Sequence, residues 1–128
     1  MGEDSHQPMT AFGRALLLFF GLVILLITWA PFRFAWPGEV SIFWQPELMD
    51  VLLNVVMFLP FGFVLSLSMP AKHPSRAILV ALMISGLASL GIELGQLFLP
   101  ERYTSPWDVL TNGLGGGLGA AVHLLIAR

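Results

Sequence analysis

The sequence predicts an all-α, polytopic membrane protein with four transmembrane helices and both termini cytoplasmic. Three observations carry this. Hydrophobic residues make up 56% of the 128-residue chain and charged residues only 11%, too little charge to cover a soluble domain of this size. Four apolar runs each approach the ~20 residues needed to cross a hydrocarbon core about 30 Å thick. Lys and Arg are divided unequally between the connectors, and that division sets orientation.

Taken in order, residues 1–14 ("MGEDSHQPMTAFGR") form a polar, acidic tail expected on the cytoplasmic side. It lacks the basic n-region and small-residue cleavage site of a signal peptide. His6 stands where a myristoylation signal needs Ser or Thr. The first apolar run, between Arg14 and Arg33, therefore reads as a retained helix. The second helix runs from Val51 to about Ala71, the third from near Ala77 to Leu99, and the fourth from Val109 to Ala127. Every connector is short, so residues 15–128 form a single four-helix membrane domain. Arg14, Lys72, Arg76 and Arg128 fall on the side of the termini, against Arg33 and Arg102 on the other. Trp29, Trp36, Trp44 and Trp107 lie at or near the second side, where amphipathic rings favour the interface. A net charge of −2 with no long basic stretch argues against nucleic acid as a partner. Cysteine is absent, so there is no disulfide framework and no thiolate metal site.

Three polar pairs interrupt the apolar runs at the outer end. Asp50 and Asn54 begin the second helix, Glu93 and Gln96 end the third, and Asp108 and Asn112 begin the fourth. Spacings of three and four put each pair on one helix face. Such side chains cost several kcal/mol each in hydrocarbon unless paired or wetted, so they should converge inward. Arg102, in the connector, should hang over them. Each residue also has a structural reading. In "SPWD", Ser105 sits at the cap, Pro106 at the first helical position and Asp108 three after the cap, close to a capping box. Asp50 suits the positive end of its helix dipole, and the three amides suit interhelical hydrogen bonds. Glu93, an intramembrane carboxylate, is a functional candidate by default.

Glycines at small-xxx-small spacing (Gly113 with Gly117, Gly115 with Gly119, Gly91 with Gly95) should dock the fourth helix on the third. Pro60 should bend the second. His73 and His123 look isolated on the far side from the polar set.

"NVVMFLPFGF", "IELGQLFLPER" and "DVLTNGLGGGLG", in that order, resemble the VanZ-like family of small bacterial membrane proteins, named for a teicoplanin-resistance protein. The resemblance covers about residues 46–120. It is carried by Asn54, Pro60, Gly62, Glu93, Gln96, Arg102, Asp108, Asn112, Gly113 and Gly116, with Asp50 a looser fit. The resemblance implies a bacterial inner-membrane protein linked to the cell envelope or to glycopeptide tolerance.

The first functional expectation is binding. Asp50, Asn54, Glu93, Gln96, Arg102, Asp108 and Asn112 would recognise the head group of an envelope lipid or lipid-linked precursor, with Arg102 on a phosphate. An enzyme acting on such a substrate is the second, with Glu93 and Asp108 as catalytic candidates, or with Asp50, Glu93 and Asp108 sharing a divalent cation. The third is a structural staple in a subunit of a larger envelope assembly. Four short helices bury little surface, which suits a homo-oligomer or a membrane-protein partner. A proton-coupled transporter ranks fourth, because the cytoplasmic half offers no second ionisable relay. No cofactor and no dedicated metal site are expected.

Overall fold

A computed structural model describes residues 11–69 and 73–127. It contains four helices: α1 (Ala11–Trp29), α2 (Leu48–Leu67), α3 (Pro74–Gln96) and α4 (Pro106–Ile126). All four are long and apolar enough to cross a membrane, so the chain is a multi-pass membrane protein. Each helix begins a few residues before its apolar run, because the polar first turn belongs to the helix and only its apolar body registers as a span. Pro74 and Pro106 occupy the first turns of α3 and α4, where a missing N–H breaks no intrahelical bond. α2 stays helical across Pro60.

The helices alternate in direction. The ends of α1 and α3 and the starts of α2 and α4 share one end of the bundle, hereafter the distal end. The start of α1 and the end of α4 lie at the other. Lys72 and Arg128 of the orientation argument, Ala71 at the expected end of the second helix, and residues 1–10 of the expected tail lie outside the described residues.

α4 is the central helix, packed on α2 on one side and α3 on the other. Its buried surface is mainly glycine: Gly113, Gly115, Gly116, Gly117 and Gly119 are all inaccessible. A methyl group on Gly115 would press on the backbone of Val55, and one on Gly119 would overlap the Leu59 carbonyl. Gly113 and Gly117 face Leu82 and Gly86 of α3. Gly116 is wedged between Ser85 of α3 and Gly62 of α2. The glycine stripe thus docks α4 on two helices, whereas α3 alone was expected. Gly91 has no neighbour near its Cα, and Gly95 makes room for the Trp29 ring of α1. Lipid tails are as apolar as leucine, so close van der Waals contact is what holds such a bundle together.

α3 answers with small residues every four positions. Ala77, Ala81, Ser85, Ser89 and Glu93 form one buried row. α1 packs from outside against α2 and α3, and Ile24 is its only buried residue. Ile24 joins Phe58 and Ile92 in a small cluster flanked by Trp29 and Phe61. Leu18, Phe19, Leu22 and Ile27 stay exposed, as suits lipid contact. The segment between α1 and α2 lies across the α3–α4 connector. Ala35 N donates to Phe98 O at 2.8 Å and Phe43 N to Thr104 O at 2.9 Å.

Replacing Gly119 by leucine should lower the unfolding temperature in detergent sharply, since its neighbours are backbone and cannot yield; overpacking costs about 1–3 kcal/mol or more. Gly91→Ala should be neutral or raise it, because helical glycine loses about 0.5–1 kcal/mol to alanine. Equal losses from the two substitutions would mean that the glycine contacts do not hold the bundle.

Candidate functional site

Glu93 lies one turn before the end of α3 and is only 4% exposed. Its Oε2 accepts a hydrogen bond from the backbone N–H of Ser105 at 2.8 Å. Ser105 is the N-cap residue of α4. A capping box would give that N–H to the acid three residues later, which here is Asp108. Instead a carboxylate from the neighbouring helix takes it. Negative charge at that point is favoured by the α4 dipole as well as by the bond itself. The Ser105 hydroxyl makes no bond to the helix backbone and faces the Asp108 carboxylate.

Asp108 is the meeting point of three helices. Besides Ser105, its carboxylate faces the Asn54 amide of α2, and Asp50 and Glu93 stand close enough to act on it electrostatically. Asn54 Nδ2 also reaches Thr111 Oγ1 of α4 at 3.3 Å. One turn deeper, Asn112 Nδ2 donates to Ser89 Oγ at 2.7 Å. Asn112 Oδ1 and Ser85 Oγ of α3, both fully enclosed, have no partner among the described residues. Asn54, Glu93, Asp108 and Asn112 are therefore gathered between α2, α3 and α4, and Asp50 stays exposed at their edge, within electrostatic reach of Asp108.

Gln96 and Arg102 turn the other way, towards α1. Gln96 Nε2 donates to Thr28 O at 3.1 Å. Arg102 donates through Nη2 to Ile27 O at 3.1 Å and to Ala30 O at 2.9 Å, and through Nε to Ala30 O at 3.3 Å. The last carbonyls of a helix lack intrahelical donors, and the guanidinium fork supplies several from one side chain. Arg102 thus closes the end of α1 instead of hanging over the carboxylates. Among the described residues no cation lies within 4 Å of Glu93 or Asp108; the ion pair present is the exposed Arg33–Glu101 contact at 3.4 Å, of a kind that contributes little. Nor do three acidic or imidazole groups among those residues stand close enough to share a metal ion. The divalent-cation form of the enzyme expectation therefore lacks its ligand set.

Several participants escape sequence reading. Ser89 and Ser85 carry a faint signal, lying four and eight residues before Glu93. Thr28 and Thr111 carry none, because they act through the backbone or as ordinary small polar residues; Ser105 is legible as the α4 cap, but not as the donor to Glu93. His123 is not isolated: its Nδ1 lies 2.7 Å from Ser66 Oγ, joining α2 to α4 at the other end of the bundle.

These features define a multi-pass membrane protein with a three-helix acidic niche at one end. A family profile described as VanZ/LLP1 matches residues 3–127, and the chain belongs to that family. The match extends beyond the motifs of residues 46–120 to α1 and the segment that follows it. No curated protein and no solved structure matches the chain.

Replacing Glu93 by leucine leaves the Ser105 N–H buried without an acceptor, which should cost about 1–3 kcal/mol. Glu93→Gln keeps an acceptor oxygen and should cost less. Hydrogen exchange at the Ser105 amide should accelerate in the leucine variant; unchanged exchange there would show that the bond contributes nothing.

Proposed function

We propose that this protein sits in a bacterial inner membrane and uses its distal polar cluster, facing away from the cytoplasm, to bind the head group of an envelope lipid or lipid-linked precursor. One observation supports this above all. At one end of a lipid-embedded bundle, Asp50 and Glu93 from two helices stand within electrostatic reach of Asp108 on a third, with no cation paired to Glu93 or Asp108 among the described residues. Acids gathered in this way are costly unless something supplies donors or positive charge. Hydroxyl, amide and ammonium groups of a lipid head meet that need. Arg102 lies on the flank, held by the α1 carbonyls, and takes an adjacent phosphate. An effect on teicoplanin tolerance belongs to this proposal on the strength of the family resemblance alone.

The arrangement also supports a second reading, a polar staple within a subunit of an envelope assembly. Glu93, Asn54 and Asn112 each already have a partner inside the bundle, which supports a role in joining the helices.

Native mass spectrometry of protein extracted with its own lipids separates the two. Binding predicts a retained lipid whose occupancy falls about tenfold or more in Arg102→Ala, the loss of one charge-assisted contact, and falls also in Asp108→Asn. The staple reading predicts lower unfolding temperatures in Glu93→Gln and Asp108→Asn with lipid retention unaltered. Protein that carries no lipid in any preparation would end the binding proposal.

A further inference from the structure

At the distal end a pocket of about 170 Å³ lies under the α1–α2 segment. Trp36, Glu39 and Ser41 line it from that segment, and Gln96, Arg102 and Thr104 from the α3 end and the connector. It is built on fixed backbone. The two hydrogen bonds to Phe98 O and Thr104 O hold its roof, and Thr104 Oγ1 donates to Glu93 O at 3.4 Å behind it. Residues 104 and 105 therefore separate this pocket from the acidic niche.

The polar groups around it are chemically incomplete in complementary ways. Arg102 is anchored through Nε and Nη2, and Nη1 has no partner among the described residues. It makes no ion pair there, and neither does Glu39. Gln96 is 8% exposed and its Oε1 is enclosed, out of a ligand's reach. Arg102 thus offers a preorganised cation, Glu39 a carboxylate, and Ser41 lines the pocket with them. A simple anion would satisfy the first and be repelled by the second. A simple cation would do the reverse.

We propose that this pocket binds a zwitterionic amine–phosphate head group, that of an aminophospholipid. The phosphate pairs with Arg102, and the primary ammonium pairs with Glu39 through charge-assisted hydrogen bonds. A quaternary choline ammonium has no N–H to give to Glu39. Trp36, 89% exposed, stands at the pocket beside Phe98. With the Trp107 indole donating to Trp44 O at 2.8 Å, the aromatic residues mark this end as an interface, where head groups lie. A lipid is therefore the source of the group. The inference rests on the reading of this end as a lipid-head site and places the amine of that head on Glu39, beside the acidic niche and not within it.

The test is competition on the full chain. Protein in detergent is mixed with equal amounts of phosphatidylethanolamine, phosphatidylcholine and phosphatidylglycerol of matched acyl chains, and adducts are counted by native mass spectrometry. Phosphatidylethanolamine should exceed each rival about tenfold, the ratio given by one charge-assisted hydrogen bond. Glu39→Gln, on an exposed segment, should erase that preference without moving the unfolding temperature. Equal binding of the choline lipid, or a preference that survives Glu39→Gln, overturns the amine assignment while leaving lipid binding itself intact. Displacement of the lipid by soluble O-phosphoethanolamine at equal concentration overturns the lipid source. Absence of every adduct sinks this inference together with the broader reading of the site.

Discussion

The hydrogen bond from the Ser105 N–H to the Glu93 carboxylate organises the distal end. It joins the end of α3 to the start of α4 across the connector between them. Helix starts expose N–H groups that lipid cannot satisfy, and Glu93 answers one of them with an acceptor oxygen. Asp108 is thereby released from the local capping role that its position suggests. It turns to Asn54 and the Ser105 hydroxyl instead, so that the polar groups of α2, α3 and α4 become one connected set.

That set depends on glycine further down. Hydrogen bonds such as Asn112 to Ser89 at 2.7 Å require α4 to lie very near its neighbours. Only residues without a Cβ permit the contacts made at Gly115, Gly116 and Gly119. Close packing and buried polarity support each other. The glycines bring the backbones together, and the short polar side chains then meet without reaching through hydrocarbon.

α1 plays a different part. It touches α2 and α3 along a small apolar seam and leaves most of its surface to lipid. Its end is held by polar contacts: Gln96 on Thr28 O, Arg102 on Ile27 O and Ala30 O, and the Trp29 indole on Ile92 O at 3.3 Å. Two of the residues that look like ligand contacts in the sequence thus also secure a helix. That double duty fixes the guanidinium where it borders the pocket beneath the α1–α2 segment.

The sequence alone determined the four apolar spans, their short connections, and the convergence of Asn54, Glu93, Asp108 and Asn112; Asp50 stays exposed at their edge. Those readings depend on helical periodicity and on the cost of polarity in hydrocarbon, both of which act locally along the chain. It also disclosed the family, through motifs in α2, α3 and α4. Tertiary structure decided the rest. Glycine spacing announces close approach but not the partner, so α4's second contact, with α2, was not legible. Arg102 has one charge and several competing acceptors. Its choice of the α1 carbonyls over the carboxylates follows from where α1 ends in space, and no spacing along the chain encodes that.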